Sequence, residues 1–294
     1  MLGEFPHFFS AGELRFIWQR GLVENQLCGC GKAFRECPFW TAVGTEAFGG
    51  WNEVDAHELA ALERAVDRHR YIPFLVAPWL SPRYERRLTR YTDVLARLYR
   101  GIDHAAGGAC IVDSTKDAPF AFLLRRLPGL ELHVVHLVRD SRGVAFSWTK
   151  RVRKPEEGET ASYMNTYHPV EMGFRWIVYN LCFHLLGRLG VPRLLTRYER
   201  LVTSPRREIE RIVAHLDADV REEDFAFLNG NGVDLGVHHT VSGNPMRFEQ
   251  GTIPLRLDDE WRLRLKPLHR RLVSFFTLPL LLSYGYLRLD RARK

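Results

Sequence analysis

The sequence predicts an α/β protein, a P-loop-like parallel sheet flanked by helices, and three observations carry that prediction. Short apolar runs alternate with helix-period segments, the order that builds parallel strands joined by crossover helices. At 294 residues the chain is long enough to bury a core without disulfide or metal staples. Its 46% hydrophobic and 26% charged residues are ordinary for a globular protein, which excludes disordered, collagen-like, coiled-coil and disulfide-scaffold classes.

The elements follow in order. Residues 54–69 carry apolar side chains at helical spacing. Ser81-Pro82 reads as an N-cap and first-turn proline, opening a helix to about Ile102. Residues 109–112 read as a buried strand followed by a helix over 120–127, and 132–138 as a second strand followed by a helix over 143–150. A long helix over 171–189 leads to a third strand at 193–198, and Ser204-Pro205 caps a helix through His215. The apolar stretch 272–287 is shorter than a membrane span and is interrupted by Pro279 and Gly285, so it reads as a buried C-terminal helix and turn. No linker divides the chain, and a single domain over 1–294 is expected. The polar insertion 151–168 follows a strand–helix unit, where it reads either as a lid or acceptor loop or as a solvated loop.

Charge narrows the partners. Lys and Arg number 42 against 35 Asp and Glu, a net +7 that suits an anionic ligand, a nucleic acid or an acidic surface. The basic residues are spread over helices and are not interleaved with exposed aromatics, so a nucleic-acid role lacks support. Five cysteines at uneven spacing argue against an oxidised secreted framework. No basic segment followed by an apolar run opens the chain, and the cytoplasm is the expected compartment. Oligomeric state has no signature in the sequence.

Ligands of open α/β sheets bind beyond the carboxyl ends of the strands. Arg139 ends the second predicted strand, Asp140 or Ser141 can cap the next helix, and Ser147 lies about two turns into it. A guanidinium and a hydroxyl so placed suit a dianionic phosphate. The same Arg-Asp pair reads equally as a salt-bridged helix start.

The segment Arg139-Asp140-Ser141-Arg142-Gly143-Val144-Ala145-Phe146-Ser147 resembles the 3′-phosphate-binding segment of sulfotransferases that use 3′-phosphoadenosine 5′-phosphosulfate (PAPS). In that family an Arg and a Ser spaced like Arg139 and Ser147 hold the 3′-phosphate. Three more segments stand in family order. Val112-Asp113-Ser114-Thr115-Lys116-Asp117 is similar to the strand end whose Lys approaches the transferring sulfuryl group, and Arg197-Tyr198-Glu199-Arg200-Leu201 to the segment whose Tyr lies near the adenine. Ser242-Gly243-Asn244-Pro245-Met246-Arg247 resembles the late loop that closes over the nucleotide. The resemblance implies Arg139, Ser147, Tyr198, Gly243 and Arg247 as nucleotide-binding residues, and Lys116 as the cation that stabilises charge on the leaving oxygen. Each also has a plain structural reading: Lys116 as a surface lysine, Tyr198 as core, Glu199 as a helix cap, Gly243 as a turn, Arg247 as a surface ion pair.

Transfer to a hydroxyl or amine needs a group that removes the acceptor's proton. Gly12-Glu13-Leu14-Arg15 resembles the Gly-Glu-Glu stretch of the protein-tyrosine sulfotransferases but holds a single Glu, and Glu13 is the candidate base. Its alternative is a surface pair with Arg15. Asp117 and His168 are weaker candidates, and His133 and His136 read as strand or core residues.

Other motifs do not complete. Cys28-Gly29-Cys30-Gly31 and Cys37-Pro38 offer three sulfurs with no histidine at finger spacing, so they are expected to be structural thiols in a Gly-rich turn, and no metal is expected. Gly31-Lys32-Ala33 lacks the Walker A pattern, Gly230, Gly232 and Gly236 miss the dinucleotide spacing, and no Gly-x-Ser-x-Gly elbow occurs. The family's strand and Gly/Arg/Ser/Thr-rich loop around the 5′-phosphosulfate have no counterpart in the sequence. With Gly12-Glu13 aligned, Met1-Leu2 falls within the first helix, and the expectation is a start roughly 15–30 residues upstream, with the first strand and phosphate loop ahead of Met1. The resemblance thus implies a sulfotransferase moving a sulfuryl group from PAPS to an acceptor hydroxyl or amine and releasing 3′,5′-diphosphoadenosine. The alternative is a catalytically inactive protein that binds the 3′-phosphoadenosine nucleotide.

Overall fold

A computed structural model describes residues 1–151, 163, 165–230 and 232–287, so most of the insertion 151–168 lies outside the described residues. In chain order the elements are β1 (Phe8–Gly12), α1 (Pro38–Phe48), α2 (Ala56–Val66), α3 (Ile72–Val76), α4 (Pro82–Ala105), β2 (Cys110–Asp113), α5 (Ala118–Leu124), β3 (Val134–Val138) and α6 (Ser141–Ser147). They continue with α7 (Pro169–Arg188), β4 (Arg193–Arg197), α8 (Tyr198–Thr203), α9 (Pro205–His215), β5 (Leu228–Asn229), β6 (Gly232–Leu235), β7 (Gly251–Pro254), α10 (Trp261–Arg264) and α11 (Pro267–Ser283). Their contacts gather into two compact units, one of Met1–His133 and Asp217–Pro254, the other of Val134–Leu216 and Leu255–Lys294.

In the first unit the predicted Ser81-Pro82 start of α4 forms, and α2 gains a cap that the sequence reading did not assign. The Ser81 hydroxyl accepts the Tyr84 N–H at 3.4 Å, with Pro82 in the first turn of α4, and Asp55 accepts the Glu58 N–H at 2.9 Å to start α2. Tyr84, Leu88, Tyr91, Leu95, Leu98 and Ile102 recur at helical spacing and form the buried stripe of α4. Helix α1 closes onto α4 at Gly101, where a Cβ would stand 2.9 Å from that of Ala47. Buried indoles find partners, Trp18 Nε1 donating to Tyr91 Oη at 3.1 Å and Trp51 Nε1 to the Trp40 carbonyl at 2.8 Å.

The start of the chain departs from expectation. Leu2–Glu4 is a single 3₁₀ turn, not part of a first helix, and β1 follows it, pairing parallel with β2 from Phe8↔Cys110 to Gly12↔Asp113. Ser10, Ala11 and Gly12 have poor strand propensity, so local reading misses this strand; the β2 partner makes it. β5, β6 and β7 form a small antiparallel sheet. In the second unit β3 and β4 pair parallel without a slip, from Val134↔Arg193 to Val138↔Arg197. One parallel sheet was the expectation; among the described residues there are two separate parallel pairs and the antiparallel sheet.

Other corrections concern ends and faces. Tyr198 opens α8 instead of ending a strand, and Ser204 precedes α9 without a side-chain capping bond. Helix α11 buries only the stripe Val273, Thr277 and Leu281, while Phe275 is 71% exposed, so the expected buried helix has a bare side. Val138, Trp176, Leu281 and Tyr284 form its core contacts in the second unit. Among the described residues no helix is long and apolar enough to cross a membrane.

Candidate functional site

The predicted residues divide between the two units: Glu13, Lys116, Gly243 and Arg247 in the first, Arg139, Ser147 and Tyr198 in the second.

In the first unit the site is built at the carboxyl ends of β1 and β2. Their register slips between Ser10 and Gly12, and Gly12 takes φ +81°. A Cβ on Gly12 would lie 2.5 Å from the Val241 carbonyl oxygen, so the residue must be glycine for the 240s segment to approach. That segment docks as another parallel bridge: Val241 N–H donates to the Ala11 carbonyl at 2.9 Å, and Glu13 N–H to the Val241 carbonyl at 2.8 Å.

Asp113, given no role by the sequence reading, ties the two strand ends together. Its Oδ1 accepts the N–H of Thr115 at 2.8 Å and of Leu14 at 3.4 Å, and its Oδ2 accepts the Tyr99 hydroxyl at 2.8 Å. Burial pushes its carboxyl above the usual carboxylate range, against these hydrogen bonds. The Asp-x-Thr spacing of an Asx turn is the signal that could have marked it.

Lys116 and Glu13 meet at this point as an ion pair. The Glu13 side chain is only 12% exposed and that of Lys116 is 72% exposed, so the carboxylate is shielded while the ammonium faces solvent. A cleft of about 220 Å³ opens beside them, lined in part by Gly12, Ser114, Lys116, Ser242, Gly243 and Arg247. Ser242 and Gly243 both adopt positive φ, +54° and +133°. The Arg247 guanidinium donates to the carbonyls of Thr240 at 2.9 Å and Leu27 at 2.8 Å, which replaces the surface ion pair of its plain reading by a loop-holding role. Arg20, unmarked by the sequence, donates to the Ser242 hydroxyl at 2.6 Å.

Arg15 does not pair with Glu13. It is buried against Asp67 at 2.7 Å, Asp117 at 3.0 Å and Glu63 at 3.6 Å. Burial opposes its charge, but the three carboxylates prevail and hold the guanidinium charged. The same burial raises Glu63 to about 7 and Asp67 to about 6, with Arg15 pulling both down. Asp117, a weaker base candidate, belongs to this buried cluster.

In the second unit, Arg139 stands where β3 ends. Trp176 Nε1 holds its carbonyl at 3.1 Å, and the Glu199 carboxylate accepts the next N–H, that of Asp140, at 3.1 Å and the Tyr286 hydroxyl at 2.6 Å. Asp140 caps α6 as predicted, its Oδ1 accepting the Arg142 N–H at 2.9 Å. The Arg139 guanidinium lies 4.7 Å from the centre of the Tyr198 ring and pairs with Asp258 at 3.0 Å. Asp258 is held below the usual carboxylate range: burial works against this, but the hydrogen bond and charge of Arg139, with Lys150, prevail. Arg139 and Tyr198 are thus brought together. Ser147 is the last residue of α6.

The histidines behave as strand and cap residues. Buried His136 accepts from Arg193 at Nδ1 (2.7 Å) and donates from Nε2 to the Asn180 side chain (2.8 Å), and burial lowers it to about 4. His168 caps α7, accepting the Val170 N–H at 3.4 Å.

Elsewhere in the first unit, Cys28, Cys30 and Cys37 are joined by His239, which supplies the fourth donor that local spacing lacks.

No family model matches the sequence, and no curated protein matches it. Among solved structures the chain is similar to the sulfotransferase domain from the curacin biosynthetic pathway, at 16% identity over 94% of this chain and 90% of that one, with a TM-score of 0.47. It is also similar to the sulfotransferase domain from the Synechococcus PCC 7002 olefin synthase, at 19% identity over 92% of this chain and 93% of that one, with a TM-score of 0.44.

Proposed function

We propose that the protein is a PAPS-dependent sulfotransferase that transfers a sulfuryl group to an acceptor hydroxyl or amine. The observation that carries this reading is the Lys116–Glu13 pair at the carboxyl ends of two paired parallel strands, beside a cleft. Lys116 offers a positive charge to the bridging oxygen as it leaves the sulfuryl group, and Glu13 takes the proton of the acceptor. The S–O bond to the nucleotide breaks as the new S–O or S–N bond forms, and 3′,5′-diphosphoadenosine departs. Arg139 retains the 3′-phosphate role that the family resemblance implies, with Tyr198 beneath its guanidinium. Ser147 keeps its role by resemblance alone, and Gly243 and Arg247 shape the late loop. No step needs a metal.

The test has two arms, run on the chain and on a form extended by whatever is encoded in frame upstream of Met1. Calorimetry with 3′,5′-diphosphoadenosine reads binding, and labelled PAPS with a panel of phenols, alcohols, sugars and amines reads transfer. Saturable binding with transfer that Lys116→Ala reduces supports the reading. Binding without transfer to any acceptor leaves a nucleotide-binding protein. No binding in either form, with Arg139→Ala behaving like wild type, defeats both.

A further inference from the structure

Three sulfurs and an imidazole converge in the first unit, outside the Lys116–Glu13 pair. Cys28, Cys30 and Cys37 stand within ten residues of one another, and His239 returns to them 202 residues after Cys37. The donor atoms all lie within 4.8 Å of one another. Cys37 Sγ is 3.2 Å and Cys28 Sγ 3.9 Å from His239 Nδ1, and the Cys30 and Cys37 sulfurs are 3.7 Å apart. A tetrahedral zinc with bonds of about 2.3 Å to sulfur and about 2.0 Å to nitrogen requires donor separations of about 3.5–3.8 Å. We infer that Cys28, Cys30, Cys37 and His239 form a closed, tetrahedral zinc centre with three thiolates and one imidazole.

The surrounding chain is shaped for it. Cys28 to Lys32 folds into a tight turn, with Cys28 N–H donating to the Lys32 carbonyl and Gly31 N–H to the Cys28 carbonyl, both at 2.8 Å. Gly31 takes φ +84°, which lets the turn aim Cys28 and Cys30 to the same side. Backbone amides of Cys30 and Trp40 point at the sulfurs of Cys28 and Cys37, the hydrogen bonds that support metal-bound thiolates. Cys37 sits at the start of α1, and the next turn supplies Phe39, whose ring stacks on that of His239 at 5.4 Å and 8°. Gly29 N–H donates to the Thr240 carbonyl at 3.0 Å, and a Cβ there would come within 2.5 Å of the His238 carbonyl oxygen. Cys28 and Cys37 are fully buried. An odd number of thiols with an imidazole at the same point is what a metal uses and a disulfide does not.

With four protein donors the centre has no open position, which makes its role structural. It ties the turn after residue 27 to the 238–244 segment, whose His238, Thr240, Ser242, Gly243 and Asn244 line the cleft. The inference stands independently of the transferase reading.

The experiment is metal analysis of the full chain purified without chelator, followed by cobalt exchange. One zinc per chain is expected, with thiolate-to-cobalt charge transfer and tetrahedral d–d bands after exchange. His239→Ala and Cys30→Ser are expected to lose the zinc, His239→Cys to retain it with an all-sulfur spectrum, and Cys110→Ser to match wild type. Because the first two variants risk misfolding, X-ray absorption on the wild type gives a second readout: three sulfurs and one nitrogen around the zinc. A wild-type chain that neither contains nor takes up zinc or cobalt, or one with Cys30 and Cys37 joined in a disulfide, overturns the inference.

Discussion

Lys116 and Glu13 neutralise each other at the ends of two parallel strands, with the carboxylate shielded and the ammonium turned to solvent. Asp113 holds both strand ends in place, through the N–H groups of Leu14 and Thr115. Separate substitutions distinguish the two charges. Lys116→Ala is expected to lower turnover by roughly 10²–10³-fold, the usual loss on removing a group that stabilises developing anionic charge. Glu13→Gln is expected to lower turnover by roughly 10²–10⁴-fold. Nucleotide affinity in Glu13→Gln stays near wild type. Unchanged steady-state rates in both variants would take the pair out of the mechanism.

Arg139 pairs with Asp258 and rests on Tyr198. Arg139→Ala is expected to weaken 3′,5′-diphosphoadenosine by roughly 10–100-fold, the scale of hydrogen bonds to a charged group. Arg139→Lys keeps the charge but loses the planar fork and stays weak. Tyr198→Phe retains the ring face and binds like wild type, whereas Tyr198→Ala does not. Calorimetric titrations of the four variants decide; an Arg139→Lys variant with full affinity contradicts the forked contact.

Gly12 has positive φ and faces the Val241 backbone. Gly12→Ala places a Cβ 2.5 Å from a carbonyl oxygen that cannot swing aside, and stability is expected to fall by roughly 1–3 kcal/mol. Urea denaturation measures it. A midpoint equal to wild type would mean that the 240s segment is not seated on β1.

Glu63 binds its proton more tightly folded than unfolded, because burial raises it to about 7 from an ordinary value near 4.5. Between those values the folded state therefore holds more protons than the unfolded state, and this group's contribution to stability falls as pH rises. His136, lowered to about 4 from 6.5, acts in the opposite sense between those values, its contribution being lost as pH falls. Glu63→Gln is expected to gain thermal stability relative to wild type as pH rises toward neutrality. Parallel Tm–pH curves for the two proteins would remove Glu63 from the balance.

Much of this architecture is legible in local sequence, and the misses share a cause. Ser81-Pro82 and Asp140 announce α4 and α6 because caps act within one turn of chain. β1 is not legible locally, because Ser10-Ala11-Gly12 becomes a strand only against Cys110 to Asp113. Arg15 lies two residues from Glu13 in sequence, yet its guanidinium turns to Asp67 and Asp117, 52 and 102 residues away. Asp113 carried a local turn signal, whereas Arg20 carried none, since its partner Ser242 lies 222 residues on.

What the sequence determined by itself is the succession from α4 through β2, α5, β3, α6 and α7 to β4 and the placing of Lys116 and Arg139 at strand ends, since periodicity, caps and turns are local properties. Tertiary structure alone decided that Glu13 meets Lys116, that Arg139 pairs with Asp258, and that His239 completes the set begun by Cys28, Cys30 and Cys37. Those pairings join residues far apart in the chain, and only the packing of the folded backbone brings their side chains within a few ångströms.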